Sequence, residues 1–226
     1  MLHIWHDTAR PAAWNMAADE TLHNTADHPI LRIYKWSEPA VTIGRSQLYP
    51  ANIPAGHAII RRPTGGGIVW HTADLTYTLA LPAEHPITRM DISASYALIH
   101  ERIRAALPSP TLLHDARNRD PSPRTMSCFA SPSRHDIMAG DGAKIAGAAE
   151  LRSARGLLVQ GSVSLAAAAC DWDAARAAIL RAFAASASPL ASDAIPFLPS
   201  PALLVSIDNL AASKYAADAW NRHGNA

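Results

Sequence analysis

The chain has 226 residues, 49% of them hydrophobic, and a formal net charge of +1. That length and apolar content suffice for one full hydrophobic core, and the near-zero charge argues against a protein that coats a polyanion. Cys128 and Cys170 are its only cysteines, which excludes a disulfide framework and fits a reduced, cytoplasmic protein. The amino-terminal segment MLHIWHDTARPAAWN lacks the basic region, apolar core and small-residue cleavage site of a signal peptide. No apolar run reaches membrane-spanning length, and the eleven histidines show no metal-binding spacing, so neither a membrane span nor a structural zinc is expected.

In chain order, Trp14, Ala17, Ala18, Thr21 and Leu22 recur at helical spacing and predict an amphipathic helix over residues 12–24. Ile30–Trp36 and Ala40–Gly44 are β-rich runs separated by the turn Ser37-Glu38-Pro39, and His57–Arg62 reads as a further short strand. Three successive glycines, Gly65, Gly66 and Gly67, follow. Glycine costs backbone entropy, so three in a row point to close approach of main chain to a ligand and to positive φ, the alternative being a plain glycine turn. Leu75, Tyr77, Leu79 and Leu81 alternate with Thr76, Thr78 and Ala80, the pattern of a half-buried strand on which the glycine loop can rest.

Tyr96, Ile99, Ile103 and Leu107 mark a helix over residues 92–107, ended by Pro108. Residues 108–126, rich in Pro, Ser and Arg and without a period, read as a mobile loop and a candidate lid. Asp136–Ala139, Lys144–Arg152 and Leu157–Ser164 read as a three-stranded meander with turns at Asp141-Gly142 and Arg155-Gly156. A helix over Asp171–Ala185, a loop over Ser186–Pro201 and a last helix over Ser206–Trp220 complete a mixed α/β chain, expected to form one domain over residues 1–226.

Chemistry concentrates around the glycines and the meander. Arg45, Arg61, Arg62 and Lys144 are candidates for a local positive pocket. Lys144 lies among small residues, and its compact ammonium suits a phosphate or a developing oxyanion; the alternative is a solvated lysine at the start of a hairpin strand. Cys128 is either a small buried hydrophobe or a nucleophile whose pKa a nearby cation such as Lys144 lowers. Cys170, at the head of a helix, reads as structural. His71 reads as a ligand contact near the glycines, a hydrogen-bonding support or a satisfied structural histidine.

Four stretches together carry a resemblance: Trp14-Asn15-Met16-Ala17-Ala18-Asp19-Glu20; Leu31–Trp36 to Ile43-Gly44-Arg45-Ser46-Gln47; Arg61-Arg62-Pro63-Thr64-Gly65-Gly66-Gly67-Ile68-Val69-Trp70-His71; and Asp136-Ile137 through Lys144-Ile145-Ala146-Gly147-Ala148-Ala149 to Gln160-Gly161-Ser162. In this order and spacing they resemble the lipoate-protein ligase and octanoyltransferase superfamily, similar in its catalytic core to biotin-protein ligases. The resemblance implies an α/β (α+β) catalytic domain with a mixed, largely antiparallel sheet flanked by helices. It further implies a buried acyl chain and transfer of a lipoyl or octanoyl group to a lysine of a carrier domain. Lys144 matches the family's active-site lysine. Arg62, Gly66, Gly67, Val69 and His71 match the family's acyl- and nucleotide-contacting loop, and Gly65, Gly147 and Ala148 are further candidate substrate-binding residues.

Two chemistries divide the family. Ligases activate the free acid with ATP and Mg²⁺ through an acyl-adenylate, whereas ligase-like octanoyltransferases, without a cofactor, accept the acyl group on a cysteine. Cys128-Phe129 followed by Pro132-Ser133 resembles the transferase segment, and a chain ending at residue 226 is expected to lack the ligases' accessory domain. The unbroken triple glycine is closer to the ligases. Asp136 resembles the second residue of their Asn-Asp pair, a metal contact in the ligase reading, but His135 replaces the asparagine. The reading adopted is acyl transfer through a Cys128 thioester with Lys144 as its cationic partner. Its alternatives are an ATP-dependent ligase and a non-catalytic binder of lipoyl groups or carrier domains. Implied partners are an acyl carrier protein or an octanoylated or lipoylated donor, and a lipoyl-domain acceptor such as the glycine cleavage H protein or a 2-oxoacid dehydrogenase E2, with no nucleic acid and no membrane.

Overall fold

The structure, a computed structural model, describes residues 1–108, 111–115, 132–184 and 193–224. Cys128 and most of the expected loop at 108–126 lie outside the described residues. The chain opens with a strand that the sequence reading missed, β1 (Leu2–Arg10), and helix α1 (Ala12–Thr25). Strands β2 (Ile30–Trp36), β3 (Ala40–Ile43), β4 (Ala58–Arg61), β5 (Val69–His71) and β6 (Asp74–Pro82) lead to helix α2 (Ile92–Ala106). Then come β7 (Thr111–Leu113), β8 (Ile137–Ala139), β9 (Lys144–Ser153), β10 (Gly156–Ser164), helix α3 (Trp172–Ala184), β11 (Ala194–Pro196) and helices α4 (Pro201–Leu210) and α5 (Asp218–His223).

Eight strands form one sheet in the order β11-β1-β2-β6-β10-β9-β8-β7, and β4-β3-β5 form a small second sheet. In the large sheet only β1 with β2 and β1 with β11 run parallel. The chain therefore has the expected class: mixed α/β with a large, mostly antiparallel sheet flanked by helices. Two apolar layers cover it. One packs Leu75, Tyr77 and Leu79 against Ile99 and Ile103 of α2 and Ile179 and Phe183 of α3; the other packs α1, through Ala17, Ala18 and Leu22, with Ala80, Leu158 and Ile207. The small side chains of α1 let it approach the sheet closely.

The alternation in β6 is real, but the strand is buried on both faces, because α1 covers the side that carries Thr78 and Ala80. The meander of β8, β9 and β10 also forms as expected. Three features differ. Thr111–Leu113 is a strand inside the segment expected to be loop, and Ala194–Pro196 is another; both are three-residue edge strands, too short for a period-two signal. The last helix begins earlier, at Pro201, where the Ser200 hydroxyl accepts from Leu203 N–H at 3.2 Å, and it passes through a wide turn at Ala211–Tyr215 before α5. A Ser-Pro pair at a helix start is a capping signal in its own right. Among the described residues no helix is long and apolar enough to cross a membrane.

A buried cation ties β1, α1 and β2 together. Arg32 is fully enclosed and donates to Asp7 Oδ2 (2.8 Å), Asp19 Oδ1 (2.8 Å) and Asn15 Oδ1 (2.6 Å), while its guanidinium lies 3.9 Å from the Tyr34 ring centre. Removing one partner of a buried ionic cluster leaves the others desolvated without compensation. Arg32→Met is therefore expected to cost about 3–5 kcal/mol in urea unfolding. A loss under about 1 kcal/mol, the size of a surface pair, would contradict the assignment.

Candidate active site

A narrow apolar slot crosses the α1 face of the large sheet. It is lined by Gly147 to Ala149 of β9, Gln160 to Ser162 of β10, Thr76 of β6 and Tyr34 and Trp36 of β2, together with Met16, Thr42, Arg62, Val69 and His71. From β9 to β2 is three strand spacings, about 14 Å. Its free volume is about 30 Å³, room for one or two waters. A longer guest must part the lining, and Met16 is the adaptable side chain there. At β9 the slot meets a wider groove of about 540 Å³ bounded by Gly65, Gly66, Tyr96, Ser133, His135 and Arg152; Ala148 and Ala149 belong to both. The junction exists because β8 pairs with β9 only as far as Ala146.

Lys144 packs beside Gly147, which lines the slot. Register slips between Ile137 and Met138 on β8, and its Nζ pairs with Asp136 Oδ2 at 2.7 Å. A bulge of this kind re-aims a side chain. A Cβ added at Gly147 would lie 2.5 Å from both Cε and Nζ of Lys144, so the lysine occupies the space that a side chain at 147 would fill. Asp136, wholly buried, also accepts from Tyr96 Oη (2.5 Å) and from Ser133 N–H (2.5 Å). Asp136, expected to touch a metal in the ligase reading, thus has both oxygens engaged by protein donors. No group of three or more His, Cys, Asp or Glu suited to a metal occurs among the described residues.

The glycines act differently from the expectation. Only Gly66 has positive φ (+86°), and a Cβ there would meet Arg62 Nη2 at 3.1 Å; Gly65 has open space around it. The close main-chain approach at this loop belongs to Gly44, whose added Cβ would lie 2.0 Å from Gly66 O. Arg62 closes the loop from within, donating through Nη2 to Gly65 O (2.8 Å) and Gly67 O (2.9 Å) and through Nη1 to Thr42 Oγ1 (2.7 Å). Val69 faces the slot from β5.

His71 is a member of a hydrogen-bonded chain. Thr42 Oγ1, which accepts from Arg62, lies 2.9 Å from His71 Nε2, and His71 Nδ1 lies 2.8 Å from Asp74 Oδ2. Trp36 stacks on the ring at 4.1 Å. Burial alone would raise the Asp74 carboxyl. The His71 ring and hydrogen bonds from His71, Ser162 and Thr76 outweigh it, so Asp74 lies below the usual carboxylate range. Cys170 is partly buried and free; burial, and then the Asp171 charge, push its thiol up, against a thiolate role. Of the residues read from sequence, the structure gathers Arg62, the glycine loop, Val69, His71, Lys144, Gly147 and Ala148 at one place. Cys128 lies outside the described residues. Sequence reading missed Thr42, Asp74, Tyr96 and Gln160 as site residues; only Asp74, three residues after His71, had a local signal.

Gly147→Ala is expected to drive Lys144 out of its seat and away from Asp136. Mass-spectrometric mapping with an amine-acylating reagent should then show Lys144 labelled severalfold faster than in the wild type; an unchanged rate would contradict the packing. His100 of α2 yields a second expectation. Burial pushes it down to about 4 from 6.5, and its Nδ1 is 2.7 Å from His135 O. A depressed folded pKa makes the stabilisation complete above 6.5 and loses it as pH falls toward 4, in total about 3 kcal/mol. His100→Gln should therefore shrink the fall in urea midpoint between neutral pH and pH 5, and an identical fall in both proteins would refute this.

This fold has counterparts among known proteins. The chain is 33% identical over 185 residues to the octanoyltransferase LipM of Exiguobacterium sp., an overlap that covers 72% of this chain and 65% of that one. The chain thus matches about two thirds or slightly less of such curated relatives. Among solved structures it resembles T. acidophilum protein Ta0514 with bound lipoic acid (TM-score 0.79, 22% identity, 98% of this chain and 99% of that one). It also resembles a lipoate-protein ligase A bound with ATP (TM-score 0.76, 22% identity, 97% and 98%). At these identities the two structures speak for the fold. The lipoyl protein ligase A/B catalytic domain profile matches residues 11–185, and the chain belongs to that family.

Proposed function

We propose that the protein is an acyltransferase of protein lipoylation, moving an octanoyl or lipoyl group from a thioester donor through Cys128 to a lysine of a lipoyl carrier domain. The observation that carries this reading is the seat of Lys144: a buried ammonium packed against Gly147, which lines the slot, and paired with Asp136, whose other donors Tyr96 and Ser133 line the groove. The slot suits the acyl chain, at about 0.8 kcal/mol per methylene removed from water. The groove suits the polar arm of donor or acceptor. Cys128 precedes Ser133, which lines the groove, by five residues in sequence. Relatives named octanoyltransferase support transfer of an octanoyl group.

In this reading the Cys128 thiolate attacks the donor's thioester carbon, a C–S bond forms, and collapse of the tetrahedral intermediate expels the donor thiolate, which takes a proton from solvent. The acceptor lysine, as free amine, attacks the acyl-enzyme, forms the amide, expels the Cys128 thiolate and loses its proton to water. Lys144 stabilises the thiolate and each oxyanion. Neither step uses a cofactor, and a thiol nucleophile suits the reducing cytoplasm. The ligase alternative needs Asp136 for a metal, and that carboxylate is held by Lys144, Tyr96 and Ser133, a donor set that does not fit a cation.

Purified protein incubated with octanoyl-carrier protein and a lipoyl domain should yield octanoylated acceptor and a mass adduct on Cys128. Cys128→Ser should abolish both, and Lys144→Met should slow transfer about a hundredfold or more. Modification from lipoate and ATP that survives Cys128→Ser would instead establish the ligase. No adduct and no modified acceptor from any donor would establish a binder.

A further inference from the structure

One face of α2 grips the turn that carries Asp136. Ser93, Tyr96 and His100 recur at spacings of three and four, so they share a side of the helix. Ser93 Oγ lies 3.0 Å from His135 Nε2, and His100 Nδ1 lies 2.7 Å from His135 O. Tyr96 Oη donates to Asp136 Oδ1 (2.5 Å) and accepts from Ala148 N–H (2.8 Å). The helix is itself anchored to β9, since Ser95 Oγ donates to Glu150 Oε1 (2.9 Å) and accepts from Arg152 Nη2 (2.5 Å). The Tyr96 hydroxyl is thus one atom joining the open edge of β9 to the carboxylate that holds Lys144.

We propose that Tyr96 is a positioning residue for acyl transfer. It fixes the rotation of the Asp136 carboxylate, and through it the place of the Lys144 ammonium over Gly147. The need for such a support follows from torsional freedom. An aspartate carboxylate turns in a broad, nearly two-fold well, and a lysine amine rides on a flexible four-carbon stem. A carboxylate that also receives a donor on Oδ1 presents Oδ2 to Lys144 in one direction. A phenol spanning the strand edge supplies that donor and ties it to the floor of the slot through Ala148. The kinetic part of this inference rests on the proposed transfer reaction; the placement of Lys144 does not.

The chain has lysines only at positions 35, 144 and 214, so protein labelled with ¹³C at lysine Cε shows each side chain separately by NMR. In the wild type the two Cε protons of Lys144 should be inequivalent, as in an immobilised stem. In Tyr96→Phe they should merge, kcat for octanoyl transfer should fall at least about tenfold with KM for the donor little changed, and the urea midpoint should stay close to wild type. Asp136→Asn should merge the same signals, and Tyr96→Phe added to it should cost little more. Tyr96→Phe with wild-type Lys144 signals overturns the proposal whatever its rate, and so does independent, additive loss in the double variant. If Tyr96→Phe fails to fold, wild-type signals in Asp136→Asn overturn it alone. Absence of transfer in the wild type would sink the transferase reading, while the NMR comparison would still decide the placement.

Discussion

A loop with no hydrogen-bonded ladder of its own must be held at a fixed height above the sheet, and the rest of the site depends on that constraint. The loop of Gly65, Gly66 and Gly67 is fixed from three sides. Gly44 lies directly under Gly66 O, where any side chain would collide. Arg61, almost fully enclosed, donates to the carbonyls of Gly44, Arg45 and Gln47 on one side and of Trp220 and Asn221 on the other, so α5 braces the segment beneath the glycines. Thr64 Oγ1 donates to Gln160 Oε1 (2.7 Å), whose Nε2 donates to Asp19 Oδ2 (2.7 Å), and Asp19 pairs with Arg32. Buried polar groups in low dielectric stabilise only when satisfied, so this chain from β1 to the loop fixes one geometry where an apolar core would tolerate several.

Glycine has two further uses in the sheet, both of them making room for another residue. Gly147 admits the Lys144 stem, and Gly161 admits the Tyr77 ring, whose Cζ would lie 2.1 Å from an added Cβ. Consequently the β9 and β10 part of the slot is lined by small residues, while bulk comes from Met16, Tyr34, Trp36 and Val69. The same strands that carry small residues toward the slot carry Ile145, Val159 and Val163 into the main core, so the site rests on that core.

Much of this was legible in the sequence, and the misses have physical causes. Residue patterning located α1, α2, β2, β6, β9 and β10 because each buries a regular face, and the Asp141-Gly142 turn marked the short β8 beside them. β1 escaped because LHIWHDTAR mixes polar and apolar residues, its ordering coming from parallel pairing with β2 and β11 and from the Asp7–Arg32 bond. The paired arginine and triple glycine marked the site, yet their mechanics could not be read locally. Arg61 is bound by residues 159–160 positions away, and the close approach belongs to Gly44. Tyr96 looked like one member of a helical core stripe, and a period cannot distinguish a ring that packs from a hydroxyl that reaches a carboxylate.

The pairing of Lys144 with Asp136 constrains what the ammonium can contribute. Desolvation disfavours a lone buried charge, and an opposite charge within hydrogen-bond distance offsets it, so Asp136 offsets the burial of the Lys144 ammonium. The ammonium can stabilise an anion, provided that the anion competes for it with a carboxylate already in place. Tyr96 and the Ser133 N–H draw off part of the Asp136 charge through hydrogen bonds, which weakens its hold on the ammonium without releasing it. An oxyanion or thiolate arriving at the mouth of the slot would then meet a cation that is fixed in place yet not wholly neutralised, the condition under which a prearranged charge favours a transition state over its ground state.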